Sequence, residues 1–298
     1  LGGGLGMQAV QAADVAVTTD QTGPVYAATG DGVESNNLTI GSDTAAPTIT
    51  GSAYGGMGTS GGAYSDTNTV TLNNGTVMEN LYGTYDTEAA TLSTATVKAG
   101  TVQGSVYGSY SQNGTANYSH VYIGTDTANT GAISIGGSVY GAYSEQGDAG
   151  SNSVEIDRGT VKGDVYGGSG IGGSGSSVTL GAANSTSGPS IGGSVYGGNT
   201  PGGMTYQNVV TVNSGSVAGT VYGASGATTT YNTVTVNGGT ITDGIYGSYS
   251  PTGGMAENNT ITLQGGKVSG DIYGGYAGTS GSSSNNTINL YSTDLSAG

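Results

Sequence analysis

The stretch Asn232-Thr-Val-Thr-Val-Asn-Gly-Gly-Thr-Ile-Thr-Asp-Gly-Ile-Tyr-Gly-Ser-Tyr249 decides the fold. Val234 and Val236 alternate with Thr233 and Thr235, the period-2 signature of a strand with one buried face. Asn237, Gly238 and Gly239 break that strand, Thr240 and Ile241 start a second piece, and Ile245 and Tyr246 start a third after Asp243 and Gly244. No helical spacing runs through the segment. Three short strands separated by tight turns bury only Val234, Val236, Ile241 and Ile245, too little for a unit to stand alone.

The same unit recurs along the chain. An aliphatic residue, Tyr and usually Gly appear together at Tyr26, Tyr54, Tyr82, Tyr107, Tyr140, Tyr166, Tyr196, Tyr222, Tyr246 and Tyr273, with a mean spacing of about 27 residues that lies in the range of solenoid repeats. Asn68, Asn152, Asn208, Asn232 and Asn259 each stand 14 residues before one of these tyrosines. Gly75, Gly159, Gly215, Gly239 and Gly266 follow seven residues after the Asn. Ser93 fills the Asn slot of a sixth unit, and Asn286 opens a partial one. Units ending at Tyr54, Tyr140 and Tyr196 carry extra residues between their first and second apolar pieces, and the unit from Val15 to Tyr26 matches only loosely.

These spacings predict an all-β chain, a single-stranded parallel β-helix of about ten coils with residues 14–298 forming one solenoid. Coils stacked at about 4.8 Å make a rod roughly 45–50 Å long. Equivalent residues then form columns. The Asn column (Asn68, Asn152, Asn208, Asn232, Asn259, Asn286) is expected to be an amide ladder inside the coil or lining a turn. The glycines seven after the Asn and one after the Tyr are expected in turns. The aliphatic residue and the Tyr after it point to opposite faces, which puts the Tyr column outside or at a corner. A β-propeller blade needs about 40 residues, more than these units hold.

Composition agrees with a thin aliphatic core. The chain has 298 residues, of which 61 are Gly, 21 Tyr and none Cys, Trp or Phe. Four Lys and Arg against 19 acids give a net charge of -15, which excludes electrostatic binding to nucleic acid or an anionic membrane surface. Zero Cys and the single His120 exclude disulfides, thiol chemistry and multi-His zinc sites, and no cofactor or metal is expected.

The unit quoted above, and Asn259-Thr-Ile-Thr-Leu-Gln-Gly-Gly-Lys-Val-Ser-Gly-Asp-Ile-Tyr-Gly-Gly-Tyr276, resemble the passenger repeats of Gram-negative autotransporter adhesins. The resemblance covers nearly the whole chain and is specific for architecture rather than function. It implies a right-handed β-helix displayed outside the outer membrane, with a C-terminal translocator barrel outside this segment. Residues 1–13 read either as the end of a secretory signal or as an apolar cap on the first coil.

Candidate chemistry is sparse. Glu155, Asp157, Arg158 and Lys162 form the densest charge cluster, which reads as a solvated turn ion pair. His120 is the lone histidine, is expected to have no catalytic Ser or carboxylate partner, and reads as a surface or turn residue. Thr-x-Thr pairs such as Thr69/Thr71, Thr233/Thr235 and Thr260/Thr262 suit an ice-binding array, but Ser153/Glu155 and Val209/Thr211 interrupt it. The most distinctive outward feature is aromatic. A second Tyr stands three after the first at Tyr85, Tyr110, Tyr143, Tyr249 and Tyr276. Together with Tyr82, Tyr107, Tyr140, Tyr166, Tyr196, Tyr222, Tyr246 and Tyr273, these rings either contact a glycan or another rod, or stack on one another and shield the Gly-rich turns. Recognition is expected at Ser111–Ser119, Ser144–Ser151 and Asn199–Gln207, where coils vary in length.

The leading expectation is a non-enzymatic, extracellular structural or adhesive rod. Its expected partners are a host-cell or bacterial surface glycan or protein, or further copies of itself stacked head-to-tail into filaments. A polysaccharide-active β-helix enzyme and an ice-binding solenoid are the alternatives.

Overall fold

A computed structural model describes residues 13–30, 35–59, 67–291 and 294–295. The first twelve residues of the segment read as a signal remnant or cap lie outside the described residues. Among the described residues there is no helix, and the strands assemble into a parallel β-solenoid of about ten turns. Three parallel sheets form its faces. The first has 11 strands and the second 10, while the third has 14, ten of them along its main path.

One coil shows how the sequence sets the geometry. The strand Thr233–Val236 lies in the first sheet, Thr240–Ile241 in the second and Ile245–Tyr246 in the third. Val234, Val236, Ile241 and Ile245 are all fully buried, while Thr233 and Thr235 face outward. Gly239 turns the corner between the first and second sheets at φ +85°, a left-handed conformation that costs a residue with a Cβ about 1–2 kcal/mol. Register is strict between coils: Val210 pairs with Val234 and Val234 with Ile261. On the second sheet Val217, Ile241 and Val268 align, and on the third Val221, Ile245 and Ile272. The aliphatic columns merge into one core that runs from Val17 to Val268.

The extra residues of three units leave the coil at one corner. Gly41, Gly124 and Gly181 each have positive φ, five residues after Asn36, Ser119 and Ser176 respectively, and start these excursions. The chain rejoins the second sheet at Thr48–Ile49, Ile133–Ile135 and Ser190–Ile191. The columns therefore stay in step although the spacing varies.

The Gly after the Tyr has a different role from the one expected in most coils. From Gly55 to Gly223 it sits within a strand of the third sheet rather than in a turn, while Gly247 and Gly274 lie in bends between two short strands. A Cβ at Gly223 would lie 2.2 Å from the Gly247 carbonyl oxygen and 3.1 Å from Asn232 Cβ. Glycine is required there because the next coil's carbonyl oxygen, and secondarily the Asn column, leave no room for a Cβ.

Candidate functional site

The Asn column is built at the corner between the third and first sheets. Asn68, Asn152, Asn208, Asn232 and Asn259 are all buried, as is Asn36. Asn208 Nδ2 donates to Asn232 Oδ1 at 3.0 Å, Asn232 Nδ2 to Asn259 Oδ1 at 3.0 Å, and Asn259 Nδ2 to Asn286 Oδ1 at 2.8 Å. Asn36 Nδ2 reaches Asn68 Oδ1 in the same way at 2.9 Å. Each backbone N–H also points along the column. The amides of Asn208, Asn232 and Asn259 donate to the next Oδ1 at 2.9–3.0 Å. Serine substitutes at Ser93, Ser119 and Ser176, and its shorter side chain makes a longer bond. Ser93 N–H meets Ser119 Oγ and Asn152 N–H meets Ser176 Oγ, both at 3.3 Å.

A backbone device aims those amides inward. The residue just before the ladder position is left-handed at Ser35, Leu92, Tyr118, Ser151, Gln207, Tyr231, Asn258 and Asn285, with φ between 54° and 58°. Such a conformation costs a non-glycine residue about 1–2 kcal/mol, and it recurs because it delivers the following N–H to the ladder. The bulky Leu92, Tyr118 and Tyr231 tolerate it by pointing their side chains into solvent.

The tyrosines form two columns on the third sheet. In the inner column Tyr26, Tyr54, Tyr82, Tyr107, Tyr140, Tyr166, Tyr196, Tyr222, Tyr246 and Tyr273 stack continuously. Successive ring centroids lie 4.7–5.3 Å apart and the planes within 4–18° of parallel. The rings cover one another's faces and show solvent mainly their edges. Burial raises the phenol pKa throughout much of the column, and ionised neighbours in the stack would raise it further. Tyr140, Tyr196 and Tyr246 are each pushed up to about 12.

The outer column meets the inner one edge to face, as at Tyr82–Tyr85 and Tyr246–Tyr249. Strand register places Thr29, Met57, Tyr85, Tyr110, Tyr143, Ser169, Asn199, Ser225, Tyr249 and Tyr276 in one line. Tyr85 and Tyr110 stack at 5.0 Å, Tyr110 and Tyr143 at 5.2 Å with a 37° tilt, and Tyr249 and Tyr276 at 5.1 Å. Three successive coils lack a ring. A groove of about 480 Å³ opens where the column stops at Tyr143, between the variable segments after Tyr140, Tyr166 and Tyr196. Ser144 and Asn199, which begin two of the segments expected to vary, lie at it.

The charge cluster is arranged differently from the expected solvated ion pair. The Arg158 guanidinium donates to the carbonyls of Lys98 (2.6 Å), Gly131 and Asn129, and so ties down the inserted segment of residues 125–132. Lys98 pairs with Asp126 at 3.2 Å in the same segment. Asp157 makes no pair with Arg158; one of its carboxylate oxygens is buried without a partner, and burial raises its pKa. The inserted segment was worth anchoring because it contributes residues to no sheet before Ile133, and carbonyls left by it needed donors.

His120 does have a serine partner, supplied by the neighbouring coil rather than by sequence proximity. Its Nδ1 lies 2.6 Å from Ser153 Oγ, and burial lowers its pKa. Among the described residues no acid hydrogen-bonds the other ring nitrogen, so no orienting third group completes a catalytic arrangement. The Thr pairs face outward on the first sheet, where His120/Tyr122, Ser153/Glu155 and Val209 interrupt their rows. No group of three or more His, Cys, Asp or Glu suited to a metal ion occurs among the described residues.

Set against family models, curated proteins and solved structures, the chain matches none. What it can do is therefore argued from its own surface.

Proposed function

We propose that this chain is a non-enzymatic extracellular rod, displayed at a Gram-negative cell surface in the manner of an autotransporter passenger, and that it acts by contact along its tyrosine face. The observation that carries this reading is the pair of Tyr columns. The inner stack runs through ten coils, and its ring edges with the outer rings present one long aromatic strip on a hydroxyl-rich surface with few charges. Aromatic rings with a polar tip are favoured at contact surfaces, since one end is apolar and the other stays wet. The strongest internal polar order, the Asn ladder, is buried and consumed in holding coils together, so it supports the rod rather than recognition.

Display of the chain on cells that otherwise remain dispersed tests this. Attachment to other cells or to each other is the expected result. Dispersed, non-adherent cells with the folded chain at their surface would overturn it.

A further inference from the structure

The interruption in the outer Tyr column is a built feature. The positions are held in register by Tyr143 pairing with Ser169, Ser169 with Asn199, Asn199 with Ser225 and Ser225 with Tyr249. Four strand steps separate Tyr143 from Tyr249, about 19 Å, so three ring places are vacant. Tyr143 packs against Tyr110 on one side at a 37° tilt, and on its other side the next position in register is Ser169, which lines the groove with it. The inner column continues without a break beneath the gap, through Tyr166, Tyr196 and Tyr222.

The groove combines an aromatic wall with free polar groups. Tyr143 and Tyr166 line it with Ser169, Glu145, Asn199 and Pro201. Its volume falls in the range of small-molecule sites, about 300–1,000 Å³. Among the described residues the side chains of Ser169 and Asn199 make no hydrogen bond. Glu145 receives the Tyr110 hydroxyl on Oε1, which leaves its carboxylate further acceptor capacity and fixes it at the rim. No lining residue is basic.

We infer that this gap binds a neutral sugar ring, taking the place of the missing tyrosine at the Tyr143 end of the column. The inference rests on the contact reading given above and names the class of ligand. A pyranose carries apolar C–H groups on one face and hydroxyls around its rim. The C–H face covers the open side of Tyr143, and the hydroxyls pair with Ser169, Asn199 and Glu145. An aromatic side chain from a protein partner would cover the ring equally well, but would leave Ser169 and Asn199 unpaired and the remaining acceptor capacity of Glu145 unused, at a cost a sugar avoids. An acidic sugar meets Glu145, no counter-charge in the groove, and a chain of net charge -15.

The test uses the full chain titrated by calorimetry and ligand-observed NMR. The probes are maltotetraose, cellotetraose and a galactotetraose as polymer-derived sugars, a galactose-terminated desialylated N-glycan as a host-type sugar, and its sialylated form. Binding of at least one neutral probe, with the sialylated form at least tenfold weaker, is expected; which neutral arm binds identifies the source. Ser169→Tyr refills the column and should weaken that binding at least tenfold while the protein stays folded. Tyr143→Ala, which removes the wall without inserting bulk, should do the same and covers the case in which the refilled variant misfolds. Binding of no neutral probe overturns the inference. So does binding that is unchanged in Tyr143→Ala, or a preference for the sialylated glycan. If cells displaying the chain still adhere when no sugar binds, the inference fails and the contact reading stands; if they do not adhere, the contact reading fails separately.

Discussion

Removing one rung of the asparagine ladder is the most informative perturbation of the rod. Asn232 Oδ1 accepts from Asn208 N–H and from Asn208 Nδ2, and Asn232 Nδ2 donates to Asn259 Oδ1. Asn232→Ala deletes all three bonds in a fully buried place. Asn208 Nδ2 keeps Thr205 Oγ1, and Asn259 Oδ1 keeps the Asn232 backbone N–H. The Asn208 N–H keeps nothing. Its orphaning costs about 1–3 kcal/mol, and the other two bonds about 1 kcal/mol each, for a sum of about 3–5 kcal/mol. Asn232→Ser retains an acceptor for the Asn208 N–H, as Ser176 does for Asn152, and should cost only about 1–2 kcal/mol. Solenoids open locally, so a single global melting curve is a poor measure. Hydrogen exchange of the coils flanking residue 232, with urea titration alongside, reads the effect directly. The expected order is wild type, Ser, then Ala, with the loss concentrated in those coils. An Ala variant as stable as the Ser variant would refute the assignment of these bonds as what holds coil to coil.

Three further outcomes follow from the same geometry. Raised phenol pKa values make the stack sensitive to alkali. Below pH about 10 folded and unfolded tyrosines are both neutral and the contribution is whole; between pH about 10 and 12 the unfolded chain ionises first, so stability falls as pH rises. The share of tyrosinate absorbance that belongs to the stacked rings should therefore appear late and together with loss of β-sheet circular dichroism, and ionisation of all 21 tyrosines near pH 10 with the fold intact would contradict the stack. Arg158→Ala should raise proteolysis and hydrogen exchange in residues 125–132, by about 1.5–3 kcal/mol of local opening energy, with the distant coils unchanged; protection equal to wild type would show that the guanidinium does not anchor this segment. Deleting residues 208–231 removes one whole period and joins Gln207 to Asn232, so columns stay in register and a cooperative fold should persist. A deletion of half that length should abolish it, because the aliphatic columns lose alignment; equal stability of the two deletions would contradict the stacking.

The fold was legible because its determinants are local and periodic. Val234, Val236, Ile241 and Ile245 announce their burial by alternation and by fixed distance from Asn232, and the same spacing repeats in each coil. Three features were hidden for physical reasons. Ser119 and Ser176 occupy the ladder in coils with insertions, where the count from Asn to Tyr no longer reveals the slot. Leu92, Tyr118 and Tyr231 hold φ near 57°, and such residue types give no sign of a left-handed backbone; the signal was their place immediately before a ladder residue. The glycine after the Tyr looked like a turn residue, whereas at Gly223 the contacts that demand it are the carbonyl of Gly247, its equivalent in the next coil, and the side chain of Asn232 at the corner, and neither is read from the adjacent sequence. The tyrosine columns were visible as a repeat of Tyr at the first and fourth positions. The groove was not, since it is defined by Ser169, Asn199 and Ser225, the positions where that repeat is absent. Arg158 was misread for a similar reason: its acceptors are backbone carbonyls about 30 to 60 residues away, and a carbonyl carries no residue identity.

The claim that the tyrosine face is the contact surface is tested most directly by counting adherent cells that display the chain in three forms. One is unaltered. A second carries Ser at Tyr85, Tyr110, Tyr143, Tyr249 and Tyr276. The third carries Ser at Thr71, Thr96, Thr235 and Thr262 on the first sheet. With equal display and retained β-sheet signal, adhesion should fall at least tenfold in the tyrosine variant and stay within twofold in the threonine variant. Undiminished adhesion without the outer tyrosines, or loss of adhesion on changing the threonine face, would contradict the account.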